Sequence, residues 1–412
     1  MRPLVPLLAL SCCLLLACTG PARTSSSPKP TRTAGRGAAP TATPSLSPPG
    51  PLQLTPQVLA AGLEVPWEIG FLPGERELVT EREGRVRLID HGQLNPNPVL
   101  TLSVVAQPGV ESGLLGLAVH PGFPNPSYVY LYYTYRGAAG ATNRVSRFEL
   151  TAGGPAGVTL ANEHPILDGI PGGQCCHFGG RIKFGPDGDL YVTVGDAQRP
   201  TNGERTSSLN GKVLRVADDG SVPSGNPFAG SPVYAYGLRN PQGLAWDAAG
   251  HLYVSNNGPT GEFGGLLHHD EVDLVQPGGF YGWPVMAGNL ATGQPAPAGL
   301  PARVPPLAES GNNTWAPSGM TFFAPSPTQQ PTLLVASLKA GNLLRLTIDP
   351  ANAGHLLGQE TLLGGFGRLR DVVTGPDGCL YVLTSNRDGR GSPSAQDDRV
   401  LRACPSTSGS GL

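Results

Sequence analysis

Between His177 and Asp196 the chain reads HFGGRIKFGPDGDLYVTVGD: a glycine pair, a strand, a Pro-Asp-Gly turn and a second strand. A strand–turn–strand excursion returns to its starting level, so it can carry the Asp196 carboxylate back beside the His177 imidazole. A carboxylate there orients the ring and stabilises its protonated form, as general-base catalysis requires. Alone, the pair also has a plainer reading, in which His177 satisfies backbone carbonyls and Asp196 caps a turn.

Three more segments carry groups suited to chemistry. Arg239 and Asn240 stand just before the turn in YGLRNPQGLAW, where an Arg-Asn pair is ordinarily solvated. Gly258-Pro259 in SNNGPTG can offer consecutive backbone carbonyls to a hard cation such as Ca²⁺, although Gly-Pro is mostly just a turn. Lys339 lies in VASLKAGNLLRL, and Arg368 and Arg370 in GRLRDVV. The i, i+2 spacing points both arginines the same way on an extended segment. Two guanidinium groups and an ammonium suit a polycarboxylate; the plain alternative is a solvated charged strand.

The elements that must position these residues follow from a recurring phrase. Residues 184–192 read FGPDGDLYV and residues 375–382 read GPDGCLYV, with weaker copies at 71–79, 119–131, 245–254 and 323–335. Each copy is an apolar strand end, a Pro/Asp/Gly turn and an alternating β-rich strand. Pro73, Pro121, Pro186, Asp247, Pro325 and Pro376 anchor the copies at intervals of roughly 60 residues. That period, with one hairpin per unit, predicts an all-β fold, a six-bladed β-propeller, with functional residues on the loops of one face. The 58 glycines and 44 prolines agree with a turn-rich chain without long helices.

The N-terminal segment MRPLVPLLALSCCLLLAC is an apolar leader, too short for a confident membrane span. Leu15-Leu16-Ala17-Cys18 resembles a bacterial lipoprotein signal box, so residues 1–18 are expected to be a signal segment and Cys18 the lipidated first residue of the mature chain; ordinary secretory cleavage is the alternative. Of residues 19–50, 27 are Gly, Ala, Pro, Ser or Thr, so 19–51 is expected to be a disordered tether. The propeller is expected over 52–404 and a flexible tail over 405–412. The implied location is the extracytoplasmic side of a membrane, reached through the lipid anchor.

A formal net charge of −2 argues against nucleic-acid binding through bulk electrostatics. Only four lysines occur, Lys29, Lys183, Lys212 and Lys339, so arginine carries most of the positive charge. Cysteine usage suits an exported protein. Cys379 and Cys404 fall on strands that can be neighbours, as a disulfide or as two buried thiols. Cys175-Cys176 can be a vicinal disulfide or reduced.

Taken together, these segments resemble the soluble quinoprotein glucose/sorbosone dehydrogenase family, most closely its aldose sugar dehydrogenase branch. The resemblance runs over about residues 60–403 in matching order. It is carried by VPWEIGFLP, GLLGLAVHPGF, HFGGRIKFGPDGDLYVTVGD, LNGKVLRV, GSVPSGNPF, YGLRNPQGLAW, NNGP, DEVDLVQPGGFYGWP, APSGM, LLVASLKAGNLLRL and GRLRDVVTGPDG. It implies a six-bladed propeller that holds pyrroloquinoline quinone (PQQ) with Ca²⁺. It also implies oxidation of aldoses at C1 to lactones, with hydride passing to PQQ and electrons to an external acceptor.

Residue by residue, His177 matches the family's base and Asp196 its orienting carboxylate. Arg239 matches the arginine near the reactive carbonyls, and Asn240 a cofactor-contacting asparagine. Lys339, Arg368 and Arg370 match the cationic clamp on the cofactor carboxylates. Gly258 and Pro259 match the carbonyl pair that binds Ca²⁺, and Glu271 matches a ligand to a second, structural Ca²⁺ in the aldose branch.

The chain departs from the family where Glu111-Ser112-Gly113 stands in place of a Gln-led segment. A carboxylate there disfavours a nearby anion unless it is protonated or paired. The segment between Asp196 and Gly211 is short, which implies an open sugar site, activity beyond glucose, and a monomer. Two other readings compete: an exported, non-catalytic propeller that binds ligands, and a Ca²⁺-dependent lactonase. A degraded clamp or missing base would mark the first. A central cluster of acidic and amide side chains would mark the second, and the cation-rich set does not suggest one.

Overall fold

The computed structural model describes Leu46–Ser406. The leader, Cys18, most of the expected tether (19–45) and residues 407–412 of the expected tail lie outside the described residues. Six antiparallel sheets follow one another around a ring. The innermost strand of each is, in chain order, Pro66–Leu72, Leu114–Val119, Ile182–Phe184, Pro241–Trp246, Pro317–Phe323 and Leu369–Thr374. The second strands are Arg76–Glu81, Tyr128–Gly137, Leu190–Val194, Leu252–Asn256, Thr332–Ser337 and Leu380–Thr384. The expected six-bladed propeller is what forms.

All six repeat anchors sit in the tight connection between a first and a second strand. The strands of each pair are antiparallel, so these turns mark one face of the ring. The opposite face therefore receives two other kinds of segment: the lead-in to each first strand and the exit from each second strand. Every candidate site residue except Arg370 and Glu271, which lie within strands, belongs to one of these two groups.

The first and second strands of the blades are buried with little alternation because neighbouring blades cover both of their faces. Leu190–Val194 and Leu380–Thr384 are buried at every position. Between the second and third blades, Tyr130, Tyr132, Ile182, Val192 and Val194 pack in one cluster. Near the axis the blades converge, and at two positions only glycine fits. A Cβ on Gly243 would stand 2.2 Å from the Ser318 carbonyl oxygen, and one on Gly319 would stand 1.6 Å from Oδ1 of Asp371.

The ring closes through its ends. Leu54–Ala61 pairs antiparallel with Arg399–Pro405, placing the first strand on the last blade. In that blade Cys379 and Cys404 are disulfide-bonded, Cα–Cα 4.4 Å. Ordered contacts begin ahead of the expected boundary at residue 52. Ser47 bridges Gln329, and the Gly50 carbonyl accepts a bond from Arg345 Nη1 at 2.9 Å. At the other end the Ser406 amide donates to the Gln53 carbonyl.

A buried ion network crosses the channel. Arg181 Nη1 lies 3.0 Å from Glu68 Oε1 and 2.9 Å from Asp371 Oδ2, joining the third, first and sixth blades. Its guanidinium covers the Trp67 ring at 4.1 Å. Burial pushes the Glu68 carboxyl up to about 7 against the opposing charge of Arg181. Below the unfolded value both states are protonated; as pH rises towards 7 the folded state retains the proton longer, and Glu68's contribution to stability is lost.

Candidate active site

His177 lies on the lead-in to the third blade, in a left-handed conformation (φ 64°). Such a backbone in a non-glycine residue persists only where surroundings impose it. Its amide donates to Glu111 Oε2 at 2.9 Å. Its Nδ1 lies 2.7 Å from Asp196 Oδ1. The excursion from His177 to Asp196 therefore returns as expected. A carboxylate can only accept, so Nδ1 carries the hydrogen and Nε2 is left as the basic atom.

Asp196 is fully buried. Its Oδ2 accepts the Trp283 indole N–H at 2.8 Å, and Oδ1 also accepts the Gln198 amide at 2.8 Å. The residue thus caps a turn and fixes the imidazole together. The short segment after Asp196 is gathered by buried Lys212, whose ammonium donates to the Asn202 and Asn210 carbonyls at 2.7 Å each.

Arg239 and Asn240 lead into the fourth blade. Their amides both donate to Asn256 Oδ1, at 3.2 and 3.0 Å. Asn256 is in turn held by Glu271 Oε2 at 2.8 Å. Glu271 therefore lies behind the site and braces it. Its Oε1 accepts the Gly288 amide, burial pushes its carboxyl up to about 7, and its strand neighbour Asp273 has an Oδ2 without a hydrogen-bond partner. Among the described residues, no group of three or more His, Cys, Asp or Glu is disposed to hold a metal.

Asn240 Nδ2 reaches Glu111 Oε2 at 3.3 Å, and its Oδ1 accepts the Gly179 amide at 3.1 Å. Glu111 completes the junction with an ion pair to Arg390, Nη1–Oε1 2.8 Å. Burial alone would raise the Glu111 carboxyl, but the charges of Arg390 and His177 and their hydrogen bonds hold it down at about 2. The departure from the family is thus met by pairing, with Arg390 against the Glu111 carboxylate.

These residues border a cavity of about 380 Å³ lined by Glu111, His177, Arg239, Asn240, Gly258 and Arg390, among others. Gly258 and Pro259 form its wall at the exit of the fourth blade's second strand. A Cβ on Gly258 would stand 1.9 Å from the His268 carbonyl oxygen, so only glycine fits. The Gly258 amide is held by Asp270 Oδ1 at 2.8 Å, while the Pro259 carbonyl accepts the His268 amide at 3.0 Å.

The cationic group is larger than the sequence suggested. Arg368 Nε bonds Asp388 Oδ2 at 2.8 Å, and Arg370 Nη2 approaches the same oxygen at 3.9 Å. The shared partner agrees with the i, i+2 reading. Arg370 sits deeper, with Nη1 2.8 Å from Gln242 Oε1, and burial pushes it down to about 9. Lys339 is exposed and forms no side-chain hydrogen bond among the described residues. Buried Arg82, at the exit of the first blade's second strand, joins the group. Burial lowers its pKa while the charges of Asp388 and Glu111 oppose the change.

Arg82, Arg368, Arg370 and Arg390 thus outnumber Asp388 and Glu111. The Nε atoms of Arg82 and Arg370 are buried without a partner. Orphaned donors within a cation excess fit a ligand that brings several carboxylates. Arg82, Arg390, Asp388 and Trp283 were missed in the sequence. The available signal was topological: Arg82 in TEREG and Arg390 in RDGRG follow second strands, as Asp196 and Gly258 do.

The Cys175-Cys176 pair, immediately before His177, is closed as a vicinal disulfide, Cα–Cα 3.8 Å. Both amides donate to Gln198 Oε1, at 2.9 and 3.3 Å.

Fold and site together define a propeller with an oriented imidazole beside a group of buried and half-buried arginines. Comparison with known proteins gives this class a family. Residues 63–393 match the Glucose / Sorbosone dehydrogenase family. The chain is 30% identical to aldose sugar dehydrogenase YliI of Escherichia coli strain K12, over 82% of this chain and 92% of that protein. It is 28% identical to quinoprotein glucose dehydrogenase B of Acinetobacter calcoaceticus, over 80% and 84%. The PQQ-bound aldose sugar dehydrogenase of Streptomyces coelicolor superposes with a TM-score of 0.72 at 34% identity, covering 86% of this chain and 98% of that one. The chain belongs to the glucose/sorbosone dehydrogenase family.

Proposed function

We propose that this PQQ-dependent quinoprotein oxidoreductase oxidises aldose sugars at the C1 hydroxyl to lactones and passes the electrons to an external acceptor. The observation that carries the reading is the 2.7 Å contact between His177 Nδ1 and Asp196 Oδ1 beside a wall of excess arginine. PQQ, when bound, supplies a two-electron acceptor with three carboxylates.

Arg82, Arg368 and Arg370 would hold those carboxylates, with Lys339 at the rim. Asn240 and the Glu111–Arg390 pair border the same space. His177 Nε2 takes the proton of the sugar hydroxyl, which raises electron density at C1 and prepares loss of hydride. Asp196 keeps the ring in the required tautomer and neutralises the imidazolium, while Trp283 keeps Asp196 in place. Arg239 would aim a hydrogen-bond donor at developing negative charge. The carbonyls of Gly258 and Pro259 would hold Ca²⁺, which prefers oxygen donors. Glu271, whose oxygens accept from the Asn256 side chain and the Gly288 amide, would be the ligand to a second Ca²⁺. Lipidation of Cys18 would place the propeller on the extracytoplasmic side.

The test is reconstitution. Purified apo-protein is given PQQ and Ca²⁺, and dye reduction is followed across a panel of mono- and disaccharides. The reading expects turnover of several aldoses; absence of turnover on all of them, with PQQ bound, overturns it.

A further inference from the structure

Arg239 is 2% exposed, yet its charge is not free to act. Its Nε and Nη2 lie 3.1 and 2.5 Å from Glu262 Oε1. Nη2 also donates to Thr260 Oγ1 at 2.8 Å, and Nη1 reaches the Asn257 carbonyl at 3.4 Å. The guanidinium lies 5.5 Å from the Trp283 ring. That ring is the one whose N–H fixes Asp196, so Glu262, Arg239, Trp283, Asp196 and His177 form one contiguous set.

Glu262 is delivered by a tight segment that folds back on the cavity wall. The Gly261 amide bonds the Leu266 carbonyl at 2.9 Å, and the Leu266 amide bonds the Glu262 carbonyl at 3.1 Å. Phe263, Gly264 and Gly265 are left-handed, at φ 54°, 84° and 94°, which the two glycines adopt without steric cost. Phe263 packs on Trp283 with ring centroids 5.3 Å apart. Glu262 Oε2 accepts the Thr260 amide at 2.6 Å, so its carboxylate is fixed at both oxygens. Its side chain is a quarter exposed, and neither the geometry of Gly258-Pro259 nor the His177–Asp196 pair requires it.

We propose that Glu262 is a positioning residue whose carboxylate holds the Arg239 guanidinium edge-on in the cavity wall and cancels its charge towards a bound polyanion. The excess charge felt by such a ligand then comes from Arg82, Arg368, Arg370 and Arg390, while Arg239 acts as an aimed hydrogen-bond donor. This rests on the PQQ reading above.

Glu262→Gln keeps the shape and a hydrogen-bond acceptor and removes the charge. If Glu262 screens Arg239, the apo-variant gains one effective positive charge. It should then bind PQQ, in Ca²⁺ and low salt, about fivefold more tightly than wild type by calorimetry, with a steeper loss of affinity as salt rises. Glu262→Asp, which keeps the charge, should stay near the wild-type value. A merely structural glutamate predicts the opposite sign, because a loosened wall binds less well. Benzene-1,3,5-tricarboxylate serves as a second probe that does not depend on PQQ recognition. Failure of wild type to bind PQQ would remove the cofactor reading, and the tricarboxylate comparison would still decide Glu262. Equal or weaker binding of both anions by Glu262→Gln would overturn the proposal.

Discussion

Glu111 and Arg390 are 279 residues apart in the chain and 2.8 Å apart in the fold. Their ion pair ties the lead-in of the second blade to the exit of the sixth, and through Glu111 Oε2 it also fixes the His177 amide and the Asn240 side chain. A single carboxylate thus sets the spacing between His177 and Asn240.

Arg390→Ala should expose that role through acid stability. The Glu111 carboxyl sits at about 2, below the model-peptide value of 4.5. Its contribution to stability is therefore present above pH 4.5 and is lost as pH falls towards 2. Without Arg390, burial is left to push the carboxyl up, so less of that stability is present at pH 6 and less of it is lost on acidification. Thermal unfolding followed from pH 6 to pH 3 should show the variant less stable at pH 6 and the gap to wild type narrowing towards pH 3, and a gap that does not change with pH would refute the pairing.

Asp196→Asn should retain PQQ binding and lose about ten- to a hundredfold in kcat, because the ring loses its orienting acceptor and its counter-charge. Trp283→Phe, which removes only the donor to Asp196 Oδ2, should lose less. Steady-state kinetics at saturating sugar and cofactor separate the two, and an unchanged kcat in Asp196→Asn would exclude it from the catalytic unit.

Arg370→Ala and Arg82→Ala should each weaken PQQ binding by about 1–3 kcal/mol, the range for a lost charge-assisted contact. Lys339→Ala tests the exposed rim in the same titration. EDTA should weaken binding to wild type if carbonyl-held Ca²⁺ contributes. Calorimetry on apo-protein reads all four, and undiminished affinity in Arg82→Ala would remove it from the clamp.

The fold was legible because its signal is local and repeated: each Pro/Asp/Gly anchor specifies one hairpin, and the anchors from Pro73 to Pro376 count the blades. His177 and Asp196 were legible for the same reason, since one excursion joins them. Glu111's partner, the Trp283 bond to Asp196 and the Glu262 contact to Arg239 were not. Each depends on which loops meet over the ring, and residues such as Arg82 or Arg390 read singly as ordinary charged turns. Glu271 shows the converse. Its sequence suggested a ligand, and packing makes it the brace behind Asn256.

The lipobox expectation is tested at the native mature N-terminus, where mass spectrometry should find diacyl-modified Cys18. An unmodified terminus elsewhere would refute it.

The most direct measurement of the central claim is a single turnover without external acceptor. Wild type loaded with PQQ and Ca²⁺ and mixed anaerobically with glucose should form about one lactone per bound cofactor, while His177→Gln should bind PQQ comparably and form it about 10²–10⁴-fold more slowly. Equal rates in the two proteins, with cofactor bound in both, would contradict the assignment of His177 as the base.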